Sequence, residues 1–231
     1  MDETAVVLTD VSKSFRSKCA VSRLSLRVPR ASIYGFLGPN GAGKTTTMRM
    51  ILGIFAPDEG QLDVLGVPDP ALVRDRLGYL PEERGLYPKM KVLDQVAYFG
   101  TLKGMSRIVA RERARQLLVD YGLGDNLDQT CQSLSKGMAQ KAQILATLLH
   151  DPDLVILDEP FSGLDPVNRD LMRDVILRLR EDGRSVIFST HIMEQAEQIC
   201  DHVVLIDGGR KLVDGPIDQV RSRGGGAIAL D

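Results

Sequence analysis

This chain has few cysteines, no long apolar run and almost no excess charge, and each shortage removes a class of protein. The three cysteines, Cys19, Cys131 and Cys200, are far apart and odd in number. No C-x-x-C pair occurs, so neither a zinc site nor a disulfide framework is suggested, and structural thiols in a reducing compartment are expected. No apolar stretch approaches the ~18 residues that would span a bilayer. The opening residues, Met1-Asp2-Glu3-Thr4, lack the basic and apolar segments of a secretory leader. A soluble, cytosolic chain is expected, with any membrane role reached through a partner. Lysine and arginine total 29 against 31 acids, a net charge of −2. That balance argues against a duplex-DNA binder relying on a broad basic surface, and no nucleic-acid partner is expected.

What the chain does have is a phosphate-binding loop. With 231 residues it is long enough to bury a sizeable core. Residues Gly38-Pro39-Asn40-Gly41-Ala42-Gly43-Lys44-Thr45 fit G-x-x-x-x-G-K-[ST] without a mismatch. The apolar run Ile33-Tyr34-Gly35-Phe36-Leu37 before it reads as a buried strand. Met48, Ile51, Leu52 and Phe55 after it have the spacing of one helix face. Backbone N–H groups of such a loop curl inward onto phosphate oxygens, and the helix N-terminus adds a favourable dipole. The pattern implies a nucleoside triphosphate with its Mg²⁺. Lys44 would reach the β- and γ-phosphates, and the Thr45 hydroxyl would ligate the metal.

The rest of the chain divides by period. Residues 4–30 are strand-like, with Ala5–Leu8 and Leu24–Val28 as cores. Gln61–Gly66 alternates like a strand and Leu77–Leu80 is another. From about 89 to 149 the character is helical: Ala114, Leu117, Leu118 and Tyr121 share one face, as do Met138, Ala142, Leu145 and Leu149. Continuous apolar runs then return at Leu154–Leu157, Ser185–Phe188 and His202–Ile206, as expected of strands buried on both faces. A helix carrying Leu171, Val175 and Leu179 separates the first two. A short strand and helix follow Gly208-Gly209. The tail from Gly224 to Asp231 reads as a linker or the start of a further C-terminal domain.

Two more motifs carry chemistry. Leu154-Val155-Ile156-Leu157-Asp158-Glu159 is an apolar strand ending in paired acids, downstream of the phosphate loop. In that order Asp158 would hold Mg²⁺ through water and Glu159 would polarise the attacking water. Leu134-Ser135-Lys136-Gly137-Met138 precedes a helix. Ser135 is placed either as a plain N-cap or, with Gly137, as part of a second phosphate-binding helix terminus.

A phosphate loop, Leu-Ser-x-Gly-x, a strand ending Asp-Glu, then Ser162-Gly163-Leu164-Asp165 and a lone His191 after a strand together resemble the ATP-binding cassette (ABC) family over nearly the whole chain. The resemblance implies an α/β P-loop NTPase with a mainly parallel central sheet, an N-terminal antiparallel β subdomain and an inserted helical subdomain at about 89–149. The ATP-binding domain would span 1–223, with 224–231 outside it. The implied ligands are ATP and Mg²⁺. Phe15 would stack on adenine, Gly38 through Thr46 would hold phosphates, and Asp165 would lie in the loop crossing a dimer interface. His191 would contact the γ-phosphate. Ser135 and Gly137 would act on ATP held by a second chain, in a head-to-tail homodimer or a heterodimer with another such subunit. An integral membrane permease completes the expected assembly, placing the chain peripherally on the inner face of the cell membrane.

One position departs from the family. The strand-end glutamine is replaced by Glu82 in Leu80-Pro81-Glu82-Glu83-Arg84-Gly85-Leu86-Tyr87. A carboxylate facing a γ-phosphate is repulsive unless Mg²⁺ or Arg84 offsets it, and as a metal ligand Glu is at least as capable as Gln. This version, with Lys136-Gly137-Met138, is similar to the branch that pairs with separate export-type permeases for sodium and drug efflux. Gly85 through Lys91, with Leu86, Tyr87 and Met90, would face the permease. Arg107, Arg111 and Arg115 form a stripe read as a solvated helix face, with contact to anionic headgroups as the alternative. The alternatives are a non-transport ABC ATPase of DNA repair, chromosome structure or translation, and a GTPase or kinase. The first lacks its coiled coil, zinc cysteines or second cassette here; the second lacks Asn-Lys-x-Asp and leaves the Ser135 segment unexplained.

Overall fold

The computed structural model describes residues 3–83 and 85–224, so Arg84 and the 225–231 tail lie outside the described residues. Two sheets carry the fold. β1 (Thr4–Phe15), β2 (Lys18–Pro29) and β4 (Glu59–Val64) form an antiparallel sheet in the order β2-β1-β4. The strand cores expected near residues 5–8 and 24–28 are the start of β1 and the end of β2, two longer strands that pair along their length.

The second sheet has six strands. β3 is Ile33–Leu37, β5 Leu77–Leu80, β6 Leu154–Leu157, β7 Ser185–Thr190, β8 His202–Asp207 and β9 Arg210–Pro216. Their order is β5-β6-β7-β3-β8-β9, parallel except for the antiparallel edge strand β9. Every residue of β3, β6 and β7 is buried, as suits strands covered on both faces, and β7 adds the buried polar residues Ser185, Ser189 and Thr190 to its apolar run. Alternate side chains serve opposite faces of the sheet. Ile33, Leu37, Val155, Leu157, Val186 and Phe188 join the helical side of the core. Tyr34, Phe36, Leu154, Ile156 and Ile187 join the side made with the antiparallel sheet.

Helix α1 (Lys44–Ile51) follows β3. It is shorter than the apolar spacing through Phe55 suggested. The chain turns at its end, where the N–H groups of Leu52 and Gly53 donate to Met48 and Met50 carbonyls. Leu52 is still buried, so the pattern recorded core contact beyond the helix itself.

Between β5 and β6 come α2 (Val92–Leu102), α3 (Arg107–Asp120) and α4 (Lys136–Leu148), with two short 3-10 turns and no strand among the described residues. Ala114 and Leu118 on α3 and Ala142 and Leu145 on α4 are fully buried in the helical cluster. α5 (Pro166–Glu181), α6 (Met193–Ile199) and α7 (Ile217–Gly224) complete the chain. Thus Gly224, expected in the tail, ends a helix. No described helix is long and apolar enough to cross a membrane.

Candidate active site

The site gathers at the C-terminal ends of three adjacent parallel strands, where open α/β sheets leave a crevice. β3 leads into the phosphate loop, β6 into Asp158-Glu159 and β7 into His191. β7 stands between the other two. Residues far apart in sequence, such as Lys44 and Glu159, thereby meet. The cleft measures about 420 Å³ and is lined by Phe15, Lys18, Ala20, residues 40–46, Glu82, Asp158 and Glu159.

Loop conformation depends on its glycines at two points. Gly43 has φ +105, and a Cβ there would stand 2.5 Å from the Ala20 carbonyl oxygen. Gly41 has φ +81 with open space around a virtual Cβ. α1 then begins at Lys44 with its first N–H groups at the cleft wall. This is the geometry in which a helix N-terminus binds anions.

Lys44 is 5% exposed. Its ammonium donates to the Gly38 carbonyl at 2.5 Å and the Pro39 carbonyl at 3.2 Å. Glu159 Oε1 is 3.8 Å away. Burial pushes the Lys44 pKa down, and Glu159, Asp158 and Glu82 act against that shift. The amine is therefore a desolvated cation held by two loop carbonyls, with the Glu159 carboxylate near and the charges of Asp158 and Glu82 favouring its protonated form.

Asp158 is buried and Glu159 follows it at φ +47. A non-glycine residue there costs about 1–2 kcal/mol, a conformation that concentrates at working sites. Ser189 on β7 touches both acids: its hydroxyl donates to Asp158 Oδ1 at 2.6 Å and accepts from the Glu159 N–H at 2.8 Å. His191 Nδ1 lies 3.1 Å from Glu159 Oε1, and its ring is half exposed at the cleft edge. Glu159 is thus positioned between a cation and an imidazole, a suitable environment for orienting water.

Phe15 is exposed at the cleft mouth and packs edge-on against Phe55 with ring centroids 5.2 Å apart. The Lys13 ammonium lies over the Phe15 ring, 5.7 Å from its centroid. Glu82 lines the cleft, as expected from its place beyond β5. Thr45, Glu82 and Asp158 offer only oxygen donors, the set that suits Mg²⁺. No group of three or more His, Cys, Asp or Glu that could hold a metal occurs among the described residues. Two or three such oxygens still fit a cation that completes its shell with water and phosphate.

Ser135, Gly137 and Asp165 do not line this cleft. Ser135 caps α4, its hydroxyl accepting from Met138 N–H at 3.3 Å. Gly137 lies against α5, where a Cβ would stand 2.2 Å from Asn168 Nδ2. Asp165 caps α5, accepting from the Asn168 N–H at 3.0 Å and from its side-chain amide at 2.6 Å, and these bonds lower its pKa. The structure therefore makes a second cluster from the starts of α4 and α5. Sequence reading missed Ser189. Its signal was weak, a hydroxyl residue two positions before His191.

Comparison with known proteins gives this geometry a family. The family model described as "ABC transporter" matches residues 21–162. An uncharacterized ABC transporter ATP-binding protein, YhaQ of Bacillus subtilis, is 42% identical over 94% of this chain and 72% of its own length. The ABC transporter ATP-binding protein NatA of the same organism is 37% identical over 93% of this chain and 91% of its own. The Nod factor export ATP-binding protein I of Rhizobium etli is 39% identical over 92% and 68%. A solved ATP-binding subunit of an ABC transporter superposes with a TM-score of 0.85 at 30% identity, covering 96% of this chain and 94% of that one. The chain belongs to the ABC transporter family. It is an ATP-binding subunit of that family and an ATPase, built on the α/β P-loop fold.

Proposed function

We propose that this subunit hydrolyses Mg²⁺-ATP in the cleft above β3, β6 and β7, and that two subunits joined head to tail drive export through a separate membrane permease. Lys44 and the amides at the start of α1 bind phosphates. Glu159 orients the attacking water, steadied by His191. Phe15 stacks on the base. Mg²⁺, when bound beside Thr45, Asp158 and Glu82, neutralises phosphate charge. Ser135 and Gly137 of one chain close over the nucleotide of the other, and Asp165 lies in the shared interface. The chain then sits peripherally on the inner face of the membrane, held by its permease.

The observation that carries this reading is the separation of the two clusters. Lys44, Asp158 and Glu159 share one cleft that Ser135, Gly137 and Asp165 do not line. A second copy supplies the missing wall. Export as the direction follows the names of two relatives, the Nod factor export proteins of Rhizobium etli and Cupriavidus pinatubonensis.

The test uses the full chain carrying Glu159→Gln, followed by light scattering with and without Mg²⁺-ATP. The expected result is a doubled mass with nucleotide, retained because hydrolysis is blocked. A mass that stays monomeric while ATP is bound would refute the shared site. Tagging the native protein and extracting membranes in mild detergent tests its output. A stoichiometric multi-span membrane protein should co-purify; recovery with ribosomes or nucleic acid alone would refute transport.

A further inference from the structure

We propose that Ser189 is a positioning residue for hydrolysis: its single hydroxyl holds Asp158 and Glu159 in their two different working directions. The proposal rests on the assignment of those acids given above.

Consecutive residues on a strand point to opposite faces. Asp158 and Glu159 must nonetheless both serve one cleft. Strand pairing at this end continues only as far as Asp158, whose N–H donates to the Leu80 carbonyl at 2.9 Å. Glu159 then turns into a left-handed conformation at φ +47, which brings its carboxylate toward Lys44 and His191. Its N–H no longer has a strand partner and donates instead to Ser189 Oγ at 2.8 Å.

The same oxygen carries the proton donated to Asp158 Oδ1 at 2.6 Å. A serine hydroxyl has one proton and two lone pairs, so it can donate to one acid while accepting from the amide of the next. Alanine at this position could do neither. With Oδ1 already accepting one hydrogen bond, the other Asp158 oxygen is the freer one for the cation or its water.

Ser189 is fully buried. It reaches both acids because β7 lies between the phosphate-loop strand and the acid strand, with Ser189 paired to Phe36 and Phe188 paired to Leu157. A buried hydroxyl could be placed only to satisfy polar neighbours. A merely structural role would change melting temperature but not the requirement for Mg²⁺.

The experiment compares wild type with Ser189→Ala and Ser189→Cys in the full chain. It measures steady-state ATPase, the Mg²⁺ concentration giving half-maximal binding of a fluorescent ATP analogue, and binding of that analogue in EDTA. For Ser189→Ala, kcat should fall at least tenfold and half-saturating Mg²⁺ should rise at least threefold. Metal-free binding should stay within twofold. Ser189→Cys, nearly the same shape with a weak donor, should fall between alanine and wild type.

Full kcat and unchanged Mg²⁺ dependence in Ser189→Ala would overturn the proposal, whatever its melting temperature. If the alanine variant does not fold, wild-type values in Ser189→Cys would overturn it equally, and the intermediate values would support it. A wild-type chain with no Mg²⁺-dependent hydrolysis would overturn the acid assignment and this proposal together. A normal wild type with indifferent variants would overturn this proposal alone.

Discussion

Replacing Gly43 and Gly41 separately by alanine divides the loop's steric requirement from its conformational one. Both glycines have positive φ, at +105 and +81. An alanine forced into such a conformation costs about 1–2 kcal/mol. At Gly41 nothing lies within 4 Å of the new methyl, so that strain is the whole cost. At Gly43 the methyl would also stand 2.5 Å from the Ala20 carbonyl oxygen and 3.4 Å from Val21 Cγ2. Backbone must move to relieve the first contact, and overpacking of this kind adds about 1–3 kcal/mol. The sums are about 1–2 kcal/mol for Gly41→Ala and about 2–5 kcal/mol for Gly43→Ala. In a domain of this size each kcal/mol lowers Tm by about 2–4 °C. The melting temperature without nucleotide should therefore fall by about 2–8 °C for Gly41→Ala and about 4–20 °C for Gly43→Ala. Calorimetry or circular dichroism at fixed pH and salt reads this directly. A Gly43→Ala chain melting no lower than Gly41→Ala would refute the argument that β2 crowds the loop. Mg²⁺-ATP binding adds a control, because Gly41 lines the cleft and its methyl should weaken binding more than it weakens the fold.

Two further outcomes follow from particular side chains. Glu82→Gln should keep ATPase activity within about tenfold, since either side chain presents an oxygen to the metal; complete loss in steady-state assays would show that the carboxylate has a specific role. His150 is half-buried, and burial is the main cause that pushes its pKa below the ordinary 6.5, ahead of the raising bond to the Leu77 carbonyl and the charges of Lys103 and Arg113. The unfolded chain therefore binds the proton more readily, so this contribution to stability is complete above pH 6.5 and is lost as pH falls from there through the folded pKa. Urea titrations from pH 7 to pH 5 should show a shallower loss in His150→Gln than in wild type, and identical slopes would refute the assignment.

Much of the site was legible because its motifs are local. The phosphate loop needs a buried strand, tight turns and a helix start in one unbroken segment, and all three signals adjoin at Ile33–Ile51. The acids at Asp158 and Glu159 stood out for a similar reason, as charges closing an apolar run. The longer strands β1 and β2 were only partly legible. Their outer residues, such as Ser14 paired with Cys19, are exposed and carry no apolar alternation. The end of α1 was misread because Leu52 is buried by tertiary contact after the helix has stopped.

By itself the sequence determined which segments carry the residues proposed for the chemistry: Lys44 and Thr45 after one strand, Asp158 and Glu159 after another, and His191 after a third. Only the tertiary structure decided that β7 lies between the other two, which makes Ser189 the common partner of both acids. It also decided that Gly137 packs against Asn168 on α5 and that Ser135, Gly137 and Asp165 do not line the cleft that holds Lys44. The physical reason is that hydrogen-bonded strand order and helix packing set distances between segments, and neither is encoded in the spacing of any one motif.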